Sequence, residues 1–138
     1  MKSATQFRVA VGECVSIPGP NPIEKSSCGG PTSQYRVTDK VSASAQCPGD
    51  SDRTYHETSL SSDPDALCLD IDWTTGGCMD IAGGPRHIDC ATIAAAADGV
   101  RVLAIKSGTV DANTCAAVGS KRGFVYPQRR FVVCLAEL

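Results

Sequence analysis

Gly12-Glu13-Cys14-Val15-Ser16-Ile17-Pro18-Gly19 and Gly76-Gly77-Cys78-Met79-Asp80-Ile81-Ala82-Gly83 are two matching stretches that open the two halves of the chain. Glycine, cysteine, isoleucine and glycine recur at equal offsets in both. The eight cysteines fall into matching sets of four: Cys14, Cys28, Cys47 and Cys68, then Cys78, Cys90, Cys115 and Cys134. Self-similarity of this kind is typical of repeated structural units, so the sequence predicts an internal duplication.

The flanks of the cysteines match as well. Corresponding segments are Tyr35-Arg36-Val37 with Val100-Arg101-Val102, Asp52-Arg53-Thr54-Tyr55 with Lys121-Arg122-Gly123-Phe124, and Leu67-Cys68-Leu69 with Val133-Cys134-Leu135. Insertions and deletions between the halves are confined to stretches rich in glycine, proline, serine and alanine, where loops tolerate them. We therefore predict two repeats, residues 1–73 and 74–138.

The strand patterns predict a mainly β, disulfide-stabilised fold. Apolar residues alternate along 7–17 and 35–41, and β-branched runs cover 99–105 and 131–135, with a weaker strand at 54–58. Turn sequences rich in proline and glycine separate them. The alanine-rich segment 91–99 predicts one short helix capped by Gly99, which would make the fold α+β.

Two halves of this size are marginal alone, because each would bury only about 60 % of its unfolded surface. The junction around Trp73 is short and contains the only tryptophan, whereas a flexible linker would be polar. We therefore expect one compact, pseudo-symmetric domain with Trp73 near the interface of the halves.

The cysteine usage predicts disulfides and an oxidising compartment, because the count is even and no CxxC pair suggests zinc. Neighbour pairing gives Cys14–Cys28, Cys47–Cys68, Cys78–Cys90 and Cys115–Cys134, and each bridge would stabilise by about 3 kcal/mol. Spacing leaves Cys14–Cys68 with Cys28–Cys47 open as the alternative in the first half.

Several of these motifs resemble a known family. They are Val-Gly-Glu-Cys-Val at 11–15, Cys28 followed by Tyr35-Arg36-Val37, Cys47-Pro48-Gly49 followed by Tyr55, and Phe131-Val132-Val133-Cys134-Leu135. The pattern resembles actinobacterial LppU-type lipoproteins and, more loosely, the extracytoplasmic septum-formation domain. The resemblance implies neighbour pairing, export, and a lipid or membrane anchor outside this sequence, and it brings no catalytic residues. The chain departs from the pattern at Glu13, where aspartate is usual, at Gly77, and in lacking an acylatable N-terminal cysteine.

Other candidate sites are weak. His56 and His87 have no free thiolate to serve if every cysteine is paired, and no serine lies in a Gly-x-Ser-x-Gly elbow. We interpret the histidines as structural or solvated. A group of aspartates could hold calcium but fits no EF-hand spacing, so we interpret it as a solvated acidic edge: Asp63, Asp65, Asp70, Asp72 and Asp80. We therefore predict no metal, no cofactor and no catalytic residue.

Charge is distributed unevenly although the net charge is only −2, which gives no reason to expect a nucleic-acid partner. Residues 1–73 contain six basic and ten acidic residues, and residues 74–138 contain seven and five. A late basic group is the candidate binding patch for an acidic envelope polymer or a partner protein: Lys121, Arg122, Arg129 and Arg130. Ordinary surface charge is the competing interpretation.

The function that these features favour is a non-catalytic cell-envelope module, secreted or membrane-anchored, for protein or polymer binding or structural support. The N-terminus has no signal-peptide pattern and no segment could span a bilayer, so we expect any export signal or anchor outside this sequence. The alternative functions are a ligand-sensing ectodomain of a membrane receptor or kinase and an envelope hydrolase. A membrane span with a cytoplasmic domain beyond it would indicate the sensor, and a pocket with perturbed carboxylates or histidine would indicate the hydrolase.

Overall fold

The computed structural model describes residues 9–17, 23–56, 66–120 and 122–137. The fold is mainly β, as predicted, with two five-stranded antiparallel sheets and four disulfides. The chain divides into two compact units, Met1–Asp72 (unit 1) and Trp73–Leu138 (unit 2), one residue from the predicted boundary. That the units pack as one pseudo-symmetric domain stays a prediction.

The sheet of unit 1 has the strand order β2-β1-β3-β5-β4. Its strands are β1 (Cys14–Ser16), β2 (Glu24–Ser26), β3 (Tyr35–Val41), β4 (Arg53–His56) and β5 (Ala66–Ile71). A 3-10 helix, Ser44–Gln46, follows β3. The inner strand β5, which lies between β3 and β4, is buried over almost its whole length, which explains its apolar run of residues rather than an alternating one.

The sheet of unit 2 has the order β7-β6-β8-β10-β9, the same order in chain sequence as unit 1. Its strands are β6 (Cys78–Asp80), β7 (Arg86–Ile88), β8 (Gly99–Ser107), β9 (Arg122–Tyr126) and β10 (Phe131–Glu137). Two 3-10 helices, Cys90–Ala95 and Ala112–Val118, lie between its strands. Two sheets with one strand order fit a duplicated unit.

Both units begin with the same glycine turn. The amide of Gly12 donates to the carbonyl of Val37, and that of Gly76 donates to Val102 in the same way. The φ angles are 97° and 87°, in the left-handed region where glycine is favoured. The repeated glycine therefore fixes the entry of the first strand against the third in each unit.

Both units also have a β-bulge at the same place. The register between β3 and β5 shifts between Val37 and Asp39, opposite Cys68 and Leu69. The register between β8 and β10 shifts opposite Cys134 and Leu135. A bulge inserts one residue into one strand and bends it, so the shared position shows that the two sheets agree in register as well as in order.

The disulfides are Cys14–Cys28, Cys47–Cys68, Cys78–Cys90 and Cys115–Cys134, which are the neighbour pairs. All eight cysteines are used. In each unit the first disulfide fixes the first strand to the segment that follows, and the second fixes the last strand. Cross-links of this kind add stability that a hydrophobic core of this size supplies only in part.

Buried side chains lie on both faces of the inner strands, because four consecutive residues are buried in each of β5 and β10, Ala66 to Leu69 and Val132 to Leu135. Unit 1 buries an aliphatic group with one tyrosine: Val9, Val15, Ile23, Tyr35, Val37, Leu67 and Leu69. Trp73 precedes the opening turn of unit 2 as Val9 precedes that of unit 1, and it is buried. Its ring packs against Phe124 and its indole N–H donates to Tyr126, both in its own unit, so it contributes to the core of unit 2.

Two local predictions were wrong. The alternating pattern at 7–17 does not form one strand: residues 10–13 make the glycine turn, Val11 is 57 % exposed, and only Cys14–Ser16 is strand, while residues 7 and 8 lie outside the described part. The segment 91–99 forms a 3-10 helix over Cys90–Ala95, and Gly99 opens β8 rather than capping it. A Cβ on Gly99 would lie 2.6 Å from Ile93 Cγ1, so close packing requires the glycine.

Candidate functional site

The basic residues of the predicted patch lie at two ends of one strand. Arg122 begins β9 and forms an ion pair with Asp98 at 3.2 Å. Arg129 and Arg130 lie in the turn between β9 and β10. Five strand residues span about 13 Å, so the structure groups Arg129 with Arg130 and separates Arg122 from them. Lys121 lies outside the described residues.

Four aromatic rings form a row that ends beside the turn between β9 and β10. Tyr126 and Phe131 face each other across β9 and β10 with ring centroids 4.3 Å apart, and Phe124 and Trp73 continue the row at 5.3 and 5.5 Å. The Trp73 indole N–H donates to the Tyr126 hydroxyl at 2.7 Å inside the protein. The Arg129 guanidinium lies over Tyr126 and Phe131, 5.4 and 5.7 Å from their centroids. Arg129 is thus a half-buried cation that makes cation–π contacts with two rings.

Arg130 is held differently. Its φ is 61°, the one positive value among the described non-glycine residues. Its amide donates to the Tyr126 carbonyl at 2.8 Å, and its carbonyl accepts from the Gly108 amide at 2.8 Å. The exposed guanidinium also reaches the Gly108 carbonyl. The turn that carries Arg130 is therefore fastened to the turn that follows β8.

Beside that second turn lies an open groove. It runs between the end of β8 and the 3-10 helix Ala112–Val118, and its lining residues are Ile105, Lys106, Ser107, Thr109, Thr114 and Ala117. Of the large apolar side chains that the described part exposes, three belong to this region: Ile105, Val110 and Val118, at 41, 41 and 38 %. Sequence reasoning missed the groove, although Asp111 and Gly119 are recognisable caps of its helix.

Lys106 is the charged residue of the groove lining. Among the described residues its ammonium pairs with no carboxylate. Asp111 is close in sequence, but its carboxylate accepts from the Asn113 amide at 2.9 Å as a helix cap. The lining therefore combines two apolar residues, Ile105 and Ala117, with three hydroxyl side chains and one cation that has no ionic partner in the described part of the chain.

The acidic residues are not a solvated edge, so that interpretation was wrong for those that the structure describes. Asp70, Asp72 and Asp80 are all buried, and Asp63 and Asp65 lie outside the described residues. Buried carboxylates need donors, and the sequence pattern did not show that donors would be supplied.

Asp72 has donors of three kinds. Its carboxylate accepts from the Gly29 amide and the Ser33 hydroxyl, both at 2.7 Å, and from the Arg36 guanidinium at 3.3 Å. The side chain is completely buried, whereas Arg36 is about half exposed. The network joins the end of β5 to the segment after the disulfide Cys14–Cys28.

Asp80 plays the corresponding part in unit 2. Hydrogen bonds from the amides of Ala82 (3.0 Å) and Asp98 (3.2 Å), with the nearby Arg86 guanidinium at 3.0 Å, lower the pKa of Asp80 despite the opposing effect of desolvation. On the surface of unit 1, a hydrogen bond from the Ala10 amide lowers the pKa of Glu13, with help from Lys25.

Among the described residues, one group has the donor atoms of a metal site. The sulfurs of Cys14 and Cys28 and a carboxylate oxygen of Asp72 lie within 4.8 Å of one another. The two sulfurs are bonded to each other, so they offer no thiolate ligand. His87 lies half-buried on β7, opposite Met79, and the side chain of His56 is outside what the structure describes.

Comparisons with family models, with curated proteins and with solved structures gave no match to this chain. The resemblance to LppU-type lipoproteins therefore stays an expectation from the sequence motifs. Within the described ranges, no helix has the length and apolar character needed to cross a bilayer.

Proposed function

We propose that the chain is a non-catalytic module of a bacterial cell envelope that binds a partner protein through the groove of unit 2. The observation that carries the proposal is Lys106, which has no ionic partner among the described residues and lies in a groove that also has apolar and hydroxyl side chains in its lining. Four disulfides indicate an oxidising, extracytoplasmic environment, which supports the location.

The chemistry of the groove favours an acidic peptide segment with an apolar side chain. A carboxylate would pair with Lys106, and Arg130 in the adjoining turn adds a second positive charge. Ile105 and Ala117 of the lining offer apolar contacts that a purely ionic polymer would not use. The hydroxyls of Ser107, Thr109 and Thr114 can bind peptide amides and carbonyls.

Among the described residues, the cysteines and the buried carboxylates favour binding rather than catalysis. All cysteines are in disulfides, so no thiolate nucleophile exists. The buried carboxylates Asp72 and Asp80 each accept several hydrogen bonds, and neither is a residue of the groove lining. A cross-linked scaffold keeps a binding surface rigid, which lowers the entropy lost on association.

Titration with a defined probe tests the proposal. A fluorescein-labelled nonapeptide of alternating aspartate and leucine should bind to the protein, with amide chemical-shift changes centred on Ser107, Thr109 and Thr114. Lys106→Glu should weaken binding at least about tenfold, because it replaces attraction with repulsion in a partly desolvated groove.

Arg101→Glu is the matched control, because Arg101 is an exposed cation of the same strand outside the groove lining. It should change the affinity less than about threefold. A peptide with lysine in place of aspartate should not bind. Equal loss for both variants, or shift changes remote from the groove, would contradict the proposed site, and binding of an anionic polysaccharide with no peptide binding would replace its ligand class.

A further inference from the structure

The disulfide Cys14–Cys28 joins an exposed residue to a buried one. Cys28 is exposed, whereas Cys14 is 1 % exposed. We therefore expect a small thiolate from solvent to approach from the Cys28 side and attack the Cys28 sulfur. Attack there forms a mixed disulfide with Cys28 and expels Cys14 as a thiolate, and a second thiolate then releases Cys28 and the oxidised reagent.

The leaving sulfur would become an anion beside another anion. A carboxylate oxygen of Asp72 lies within 4.8 Å of both sulfurs. The Gly29 amide, the Ser33 hydroxyl and the Arg36 guanidinium all donate hydrogen bonds to this side chain, and such donors favour the ionised form of a carboxyl group. Its side chain is fully buried, so water screens the repulsion little, while the Arg36 charge is half exposed and offsets it only in part.

The equivalent disulfide of unit 2 lacks this neighbour. Cys78–Cys90 joins the corresponding cysteines at the same Cα–Cα distance of 5.1 Å, again with one nearly buried residue, Cys78, and one less buried, Cys90. Among the described residues no carboxylate forms a comparable group with its sulfurs. Asp89 is adjacent in sequence, but it is exposed and caps the helix through the Ala91 amide.

We propose that Asp72 retards thiol–disulfide exchange at Cys14–Cys28, and so keeps an exposed disulfide intact. The Asp72 carboxylate disfavours the Cys14 thiolate, which makes Cys14 a poor leaving group, and it repels an anionic reagent that approaches Cys28. Asp72 acts through its charge and forms no bond during the exchange. The inference is independent of the proposed binding function, since it concerns unit 1.

Reduction by 2-mercaptoethanesulfonate, an anionic monothiol, tests this proposal. Aliquots are quenched with iodoacetamide, and mass spectrometry of the digested protein gives the reduction rate of each disulfide. In the wild-type protein Cys14–Cys28 should be reduced more slowly than Cys78–Cys90 despite the exposure of Cys28. Asp72→Asn should accelerate reduction of Cys14–Cys28 roughly tenfold and leave Cys78–Cys90 within about twofold.

Ser33→Ala separates charge from structure, because it removes a hydrogen bond to Asp72 and keeps the carboxylate. We expect it to accelerate reduction less than about threefold. The wild-type protein allows a further test without a variant. The ratio of the reduction rate with cationic cysteamine to the rate with the anionic thiol should be larger at Cys14–Cys28 than at Cys78–Cys90. An equal preference at both disulfides, or equal acceleration by Asp72→Asn and Ser33→Ala, would overturn the proposal.

Discussion

Units 1 and 2 share a strand order, an opening glycine turn and a bulge, yet they fill these positions with different side chains. Thr54 of β4 and Gly123 of β9 are equivalent, because each lies opposite the last cysteine of its unit. Thr54 is exposed, whereas a Cβ at Gly123 would lie 2.9 Å from Ala112 Cβ. A three-residue 3-10 helix in unit 1 has become a seven-residue helix over the strand in unit 2.

The difference teaches which features specify this topology. Turn glycines, cysteine positions and buried strands are common to both units, so they suffice for the strand order. The covering helix, the aromatic row and the groove distinguish unit 2, and they can change without altering the sheet. We therefore expect substitutions at shared positions to act alike in both units and substitutions at divergent positions to act differently.

The largest expected difference is between Gly123→Val and Thr54→Val. Gly123→Val should lower the free energy of unfolding by about 3 kcal/mol, since the added atoms meet Ala112 and Val132 at 2.9–3.3 Å. Thr54→Val should change it by less than about 0.5 kcal/mol at an exposed strand position. Native-state hydrogen exchange of the β10 and β5 amides measures both, and a tolerated Gly123→Val would show that the helix does not cover the strand.

A smaller difference in stability is expected between substitutions of two tyrosines whose hydroxyls accept hydrogen bonds from N–H groups. Tyr126→Phe leaves the buried indole N–H of Trp73 without its acceptor and should cost about 2 kcal/mol. Tyr55→Phe removes a longer contact, 3.4 Å from the Ile23 amide in a half-buried place, and should cost about 0.5 kcal/mol. Urea unfolding followed by Trp73 fluorescence for the first and hydrogen exchange for the second measures them, and equal losses would remove this contrast.

Acidification should weaken the contribution of Asp80. Its pKa is lowered in the folded protein, so the carboxylate stabilises the fold fully above the unfolded value, about 3.9, and the contribution is lost as pH falls through the lower folded pKa. Wild type should therefore exceed Asp80→Asn in stability at pH 6, and the gap should close on acidification below pH about 4. Urea midpoints across pH measure it, and a gap independent of pH would contradict the assignment.

The smallest effects should come from two adjacent arginines, with opposite signs. Arg130→Gly should stabilise by about 0.5 kcal/mol, because glycine adopts a φ of 61° without the Cβ penalty. Arg129→Gly should destabilise by about 1 kcal/mol, because it removes a guanidinium from two rings. Thermal melting of the two variants compares them, and the same sign for both would show that the turn, rather than either contact, limits stability.

Much of the fold was predictable because its signals are local in sequence. The runs at 35–41, 99–105 and 131–135 lie within β3, β8 and β10, and the matching cysteines indicated the duplication. The strand predicted at 7–17 failed because Gly12 turns the chain, a conformational preference that an apolar alternation does not reveal.

The site was less predictable because it depends on contacts between distant residues. The buried Asp72 carboxylate accepts a hydrogen bond from the Ser33 hydroxyl, which is 39 positions away in sequence. Its charge alone therefore suggested a solvent-exposed edge. The groove forms where the end of β8 meets a helix that the sequence pattern did not indicate. Arg129 was identified as a basic residue, but its place over Tyr126 and Phe131 required the hairpin register.

The shared bulge has a consequence for how the chain folds. The strands β5 and β10 pair with β3 and β8, respectively, across the same bulge. Either last strand would therefore match the register of the third strand in the other unit. Tandem repeats of this kind risk exchanging strands during folding. The bridges Cys47–Cys68 and Cys115–Cys134 close separations of only 21 and 19 residues, and each ties a last strand to its own half of the chain. Correct pairing of these cysteines therefore keeps each last strand in its own unit.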